Sequence, residues 1–332
     1  MSIDFNSRIL ITGGKGFLGR FVENKLKSLG YQNVFTASGV RDGLDLGEEA
    51  NVGWLFDYTH PEYVIHLACR SGGLGANARY PGGLMYENLN MSLKIIEEAR
   101  QYDVKKIVTV ADIACYPHAC PIPYVENDFW NGYPHPSKSH YAIAKRTITD
   151  LLFAYKRQFG MDSVTLICSD IYGPEDEFDP HAGKIIPTVL TEARFASENK
   201  TPNFSSVGSS KSTRDFIHVE DCARAVTLAL EKNNLPDLIN IGTGVETNIQ
   251  ELILKVCQDF GYEGKMSWKE EKPMGVERRY LDTSRAKETL DFESEIGLDR
   301  GLEQTKEWYI NTLPNPQLYP LNDLPPSMQA MR

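Results

Sequence analysis

The chain has 332 residues, of which 41% are hydrophobic and 24% charged, and its formal net charge is −10. That is enough apolar material for a real core, in one large α/β domain or two of ordinary size. The acidic balance without a long basic run argues against a nucleic-acid partner, and no apolar run approaches the roughly 18 residues of a membrane span.

The opening "MSIDFNSRILITGG" passes almost directly into a strand and carries no secretion signal, so a cytoplasmic location is expected. "RILIT" (8–12) reads as that strand, and "FLGRFVENKLKSLG" (17–30) as a helix with a glycine stop. Between them "ITGGKGFLGR" sets Gly13, Gly16 and Gly19 in a G-x-x-G-x-x-G frame. Glycine permits a tight positive-φ turn and lets backbone N–H groups approach a pyrophosphate. A plain strand–helix turn would need less glycine, and this context favours a dinucleotide site.

"NVFTA" (33–37) is the second strand. An NAD site expects an acid at its end, for the ribose 2′-OH. "FTASGVRD" supplies none before Asp42; Arg41 comes first, and Lys15 sits inside the glycine loop. Two cations suit a 2′-phosphate, which favours NADP(H) over NAD(H); solvated surface charges are the plain alternative. Asp45 and Leu46 are expected near the adenine edge.

"YVIHLA" (63–68), "KIVTV" (106–110), "SVTLIC" (163–168) and a late strand in "PDLINIGTG" (236–244) lack alternation, as strands covered on both faces do. Helical spacing over 84–102 and 138–159 separates them. The expected fold is α/β, a doubly wound, right-handed parallel Rossmann sheet. The dinucleotide domain is expected over 1–170 plus 216–245. A smaller C-terminal substrate lobe, 171–215 plus 246–332, is expected to close over the carboxyl ends of the strands, where open sheets bind ligands. The tail "LPNPQLYPLNDLPP" reads as loop.

"KIVTVADIACYP" leaves one carboxylate, Asp112, at the end of an apolar strand. In "SHYAIAKR" (139–146), Tyr141 and Lys145 are four apart and share a helix face. A tyrosine titrates near 10, and a neighbouring ammonium is expected to lower that toward the working range of an acid–base catalyst. The same lysine could hold the nicotinamide ribose. A surface pair would look the same locally; the upstream glycine loop favours catalysis. The six cysteines form no CxxC pair and the seven histidines lack ligand spacing, so reduced thiols and no metal are expected.

"TGGKGFLG", "HLAC", "YAIAK", "IYGPEDEF" and "TRDFIHVED" are similar to the motifs of the extended short-chain dehydrogenase/reductase superfamily, whose members act on nucleotide sugars. "GGLGANARYPGGLMYENLNMS", "ACYP" and "KPMGVERRYLDTSR" narrow the resemblance to the GDP-L-fucose synthases, the GDP-4-keto-6-deoxy-mannose epimerase/reductases, over about residues 8–310. The resemblance implies NADP(H), a GDP-sugar, a homodimer formed through helices 84–102 and 138–159, and a 4-keto substrate with Tyr141 as proton donor. It puts cofactor contacts on Gly13, Lys15, Gly16, Phe17, Leu18, Gly19, Arg41, Asp45, Leu46, Leu67, Ala68, Lys145, Cys168 and Ile171. Substrate contacts fall on Asn88, Asp170, Lys184, Arg214 and Arg278, with Arg279 adjacent.

The chain also departs from that family. Asp112 stands where the family has the serine that hydrogen-bonds the sugar oxygen beside the tyrosine. The epimerisation cysteine falls on Ala114, with Cys115 one place away, and its histidine partner on Lys184. Asp170 replaces an asparagine, and Glu192 a diphosphate arginine, with Arg194 two places on. Asp112 could be ionised and oppose the tyrosine, protonated and donating as the serine does, or accepting from a sugar hydroxyl. It could also merely cap the loop in an inactive protein. The leading expectation is an NADP(H)-dependent 4-keto reductase without 3,5-epimerase activity. A redox-neutral 4-epimerase with retained NAD(P) and a catalytically impaired nucleotide-sugar-binding homologue are the alternatives.

Overall fold

The computed structural model describes residues 3–39, 43–178, 184–209, 211–270 and 275–313. Twelve strands and ten α-helices lie over these residues. The amino-terminal half contributes β1 (Arg8–Thr12), α1 (Phe17–Ser28), β2 (Asn33–Ala37), α2 (Glu49–Thr59), β3 (Tyr63–His66), α3 (Leu74–Arg79), α4 (Pro81–Gln101), β4 (Lys106–Asp112), α5 (Ser139–Phe159) and β5 (Asp162–Cys168). There follow β6 (Asp170–Tyr172), α6 (Ile185–Glu198), β7 (Asn203–Gly208), β8 (Thr213–Arg214), β9 (Phe216–His218), α7 (Val219–Glu231) and β10 (Leu238–Ile241). The chain closes with β11 (Thr247–Asn248), α8 (Ile249–Asp259), β12 (Lys265–Glu270), α9 (Ser284–Leu290) and α10 (Leu298–Thr312).

Six strands form one sheet in the order β10-β5-β4-β3-β1-β2, every pair parallel. Their side chains alternate between two apolar layers, as a strand's period of two requires. Ile9, Ile11, Ile65 and Val108 pack with Val22 and Leu26 of α1 and Val226 of α7. Leu10, Val64 and Ile107 pack with Phe56 of α2, Ile95 of α4 and Leu152 of α5. Helices on both faces explain why these strands read as unbroken apolar runs.

The order reverses between β1 and β3. That is the switch point at which open parallel sheets form their ligand crevice. A third apolar cluster lies outside the sheet and joins Tyr172, Leu190 of α6, Phe216, Ile253 of α8 and Tyr309 of α10. Small pairings brace it: β6 with β9, β7 with β12, and β8 with β11. Among the described residues no helix is long and apolar enough to cross a membrane. All six cysteines are free.

Candidate active site

The glycine loop lies at the switch point. Gly13 adopts φ +77°, and a Cβ there would stand 2.6 Å from the Ala68 backbone nitrogen. A Cβ on Gly19 would meet the Gly13 carbonyl oxygen at 2.2 Å. The loop therefore lies flush against the ends of β1 and β3, and only glycine fits. Gly16 begins α1 with no side-chain cap, so the first turn keeps N–H groups for an anion. These residues fit a dinucleotide pyrophosphate.

A cleft of about 1140 Å³ opens above this loop. Gly13, Gly16, Phe17, Leu18, Gly19, Asp45, Leu46, Leu67, Ala68, Lys145, Cys168 and Ile171 all line it. Asp45 also closes its own turn, accepting from the Gly47 N–H at 2.8 Å. Lys15 does not line the cleft; it is exposed, with its backbone N–H on Ser38 Oγ at 2.6 Å. Arg41 lies outside the described residues. Ser38, on the lining, is the residue that follows β2.

Tyr141 stands in the first turn of α5 and Lys145 one turn later, both on the cleft wall. Lys145 Nζ donates to the Val110 carbonyl at 3.1 Å. Cys69 Sγ lies 3.8 Å from the Tyr141 hydroxyl. The phenol is pushed well above its ordinary value, first by burial, then by Cys69, Asp112 and Cys115. This corrects the expectation that Lys145 lowers it. A buried phenol loses hydration, and its nearest neighbours are acidic groups, while the ammonium is turned to the end of β4. Behind this wall His66 bridges Thr12 Oγ1 at 2.7 Å and Ser92 Oγ at 2.8 Å. Burial, then Lys145, drops it to about 3, so it is neutral.

Asp112 ends β4, paired in register with Cys168. Its Oδ1 accepts from the Ala114 N–H at 2.6 Å, and Oδ2 lies 3.6 Å from Lys138 Nζ. Burial works to raise its pKa, but Lys138, then Arg279, then the Ala114 N–H hold it below the ordinary carboxylate value. These neighbours favour the ionised carboxylate over the neutral donor. Asp112 does cap the turn after β4 as well.

Two guanidinium groups continue the wall. Arg279 Nη2 donates to both oxygens of Asp170 at 2.8 Å. Arg214 Nε lies 3.9 Å from Asp170, and its Nη1 donates to the carbonyls of Thr213 at 2.6 Å and Glu277 at 3.0 Å. Burial, then Arg279, lowers Arg214 to about 10, still charged at neutral pH. Both Nε atoms are buried without a hydrogen-bond partner among the described residues.

Other sequence candidates land elsewhere. Arg278 points out of the cleft and pairs with Glu246 at 2.7 and 2.8 Å; its neighbour Arg279 turns inward instead. Asn88 is 1% exposed and off the cleft lining. It clamps the loop after β3, accepting from Arg70 N at 2.9 Å and donating to Arg70 O at 2.8 Å. Lys184 does line the cleft, held by Asp176 and with its ammonium 4.6 Å from the Phe17 ring centroid. Cys115 is fully buried, off the lining, and its thiol is pushed to about 12 by burial. Glu192 and Arg194 are off the lining too; Arg194 binds Glu198 at 2.7 Å. Lys138 went unnoticed in the sequence. Its position three residues before Tyr141 was the available signal, since that spacing is one helical turn.

Comparison with known proteins bears on this geometry. A family profile described as NAD dependent epimerase/dehydratase matches residues 9–242. GDP-L-fucose synthase 1 of Arabidopsis thaliana is 31% identical over 312 residues, 94% of this chain and 96% of that protein. The GDP-mannoheptose C4 reductase of Campylobacter jejuni with NADP bound superposes with a TM-score of 0.83 at 26% identity, covering 92% of this chain and 99% of that one. The UDP-glucose 4-epimerase of Thermotoga maritima gives a TM-score of 0.80 at 28% identity, covering 92% and 99%.

Proposed function

The chain belongs to the NAD dependent epimerase/dehydratase family, and from that premise we propose an NADP(H)-dependent reductase of GDP-linked 4-keto sugars that does not epimerise carbons 3 and 5. The carrying observation is Tyr141 and Lys145 together on the cleft wall above the glycine loop. When bound, the reduced nicotinamide would supply the hydride for the keto carbon. Tyr141 donates the proton to the keto oxygen; its raised pKa keeps it loaded at neutral pH. Lys145, held by Val110, stays within the same wall to orient ribose hydroxyls. Arg214 and Arg279 offer paired donors to a diphosphate. NADP(H) is supported by a second strand that ends at Ala37 and is followed by Ser38, with no acid at either place.

Loss of epimerisation is supported by three placements. Ala114 lines the cleft at the position where the resemblance puts a cysteine, Cys115 is buried off the lining, and Lys184 is held by Asp176. The test is incubation with GDP-4-keto-6-deoxymannose and NADPH in deuterated water. One NADPH oxidised per product, with no deuterium at carbons 3 and 5, is expected; full labelling there would refute the missing epimerase. The likeness to a UDP-glucose 4-epimerase supports a second reading, redox-neutral 4-epimerisation, which requires product without net NADPH consumption. We also propose a homodimer built on α4 and α5, where Tyr86 and Leu93 are 69% and 45% exposed. Sedimentation equilibrium at a single-chain mass would exclude it.

A further inference from the structure

Lys138 sits in the turn just before α5 and Asp112 at the end of β4, so two separate segments meet at one spot on the cleft wall. Their charged atoms are 3.6 Å apart, with side chains 20% and 28% exposed. That gap is longer than a charge-assisted hydrogen bond, about 2.7–2.9 Å. Asp112 Oδ1 is used by the Ala114 N–H, while Oδ2 faces only the Lys138 ammonium, at a separation too long for a full hydrogen bond. Lysine has three donors and no acceptor; an ionised carboxylate only accepts. A hydroxyl can satisfy both at once, accepting from Lys138 and donating to Asp112. No charged substituent is invited, because the pair is neutral overall.

The place along the cleft follows from the strand. Lys145 is anchored on Val110, and Asp112 lies two residues further, about 6–7 Å at strand rise. Residues two apart share one face of a strand, so the carboxylate looks into the same stretch of cleft as the tyrosine–lysine wall and can meet the ring position next to the one at the tyrosine. We propose that Lys138 and Asp112 form a specificity site for a hydroxyl on the ring carbon beside the reduced carbonyl, so the substrate class is a neutral 4-keto sugar that keeps its 3-hydroxyl. The inference rests on the 4-keto reductase reading above. Because the two groups can turn to each other when the hydroxyl is absent, discrimination is moderate: about 10- to 100-fold, not the extreme ratio of a site left with unpaired buried groups.

The test compares kcat/KM, with NADPH, for GDP-4-keto-6-deoxymannose and its 3-deoxy counterpart. The parent should prefer the hydroxylated compound by at least tenfold. Asp112→Asn keeps an acceptor for Ala114 while removing the charge, and should bring the ratio below threefold. Lys138→Met, at a partly exposed turn position, should do the same. Near-equal rates in the parent, or an unmoved ratio in both variants, would overturn the proposal. A second arm titrates GDP-6-deoxymannose and its 3-deoxy analogue into the NADP-loaded protein by calorimetry. Absence of any reduction would sink the reductase reading alone. The affinity ratio would then decide: a tenfold preference lost in Asp112→Asn upholds the hydroxyl site, and equal affinities in the parent reject it.

Discussion

Replacing Tyr141 by phenylalanine removes one oxygen from the cleft wall. The structure sets the scale of what else is lost. Among the described residues that hydroxyl's hydrogen-bond partner is Cys69 Sγ at 3.8 Å, which is a weak contact, and Tyr141 is 8% exposed. Stability should therefore change by less than about 1 kcal/mol. NADPH affinity should hold, since Lys145 keeps its own anchor on Val110 and the glycine loop is untouched. Catalysis should fall by the worth of a positioned proton donor, about 10²–10⁴-fold, or about 3–5 kcal/mol at 1.36 kcal/mol per decade. The assay is NADPH oxidation followed at saturating keto-sugar, beside a fluorescence titration of NADPH and a thermal melt. The parent's rate adds a pH signature. With the phenol raised well above 10, the donor stays protonated across neutral and mildly alkaline pH, so kcat should be flat from pH 7 to about 9. Activity within tenfold of the parent, or a parent kcat that falls with an apparent pKa near 7, would refute the assignment.

Asp112→Ala removes the acceptor for Ala114 N–H and should cost about 0.5–2 kcal/mol in urea unfolding, whereas Asp112→Asn should cost less. Because its folded pKa is depressed, Asp112 stabilises above the unfolded carboxyl value, and that share fades as pH drops through the folded one; Asp112→Asn should flatten this acid limb. Gly13→Ala forces a Cβ to 2.6 Å from the Ala68 backbone at positive φ, and should weaken NADPH binding more than tenfold; unchanged affinity would show that the loop can shift. Arg279→Ala should raise KM for the nucleotide sugar at least tenfold by removing a diphosphate donor and leaving Asp170 only Arg214 at 3.9 Å, while Arg278→Ala, outside the cleft, should change it less than threefold. Equal effects of the two arginine changes would contradict the inward–outward assignment.

Much of the fold was legible in the residues. "RILIT", "YVIHLA" and "KIVTV" are apolar runs because helices cover both sheet faces, and contiguous composition records that burial. The strand at 106–110 in fact runs on to Asp112, so the puzzling acid is the last residue of the sheet. The glycine spacing and the Tyr141–Lys145 step of four were equally readable, since turn sterics and helical periodicity are local rules. Asn88 and Arg278 lie off the cleft lining, which the sequence could not show, because a motif fixes residue type and neighbourhood, not whether a side chain faces the cleft or braces a loop.

What only the tertiary structure decided is the electrical character of the site. Asp112 is held below the ordinary carboxylate value because Lys138 and Arg279 arrive from segments remote from β4, and Tyr141 is a stronger proton holder than its lysine neighbour suggested because burial, then Cys69 and Asp112, raise it. A helix turn is set by residues a few positions apart. A charge in a partly dried cleft is set by every group that shares the cleft, and the chain alone does not say which those are.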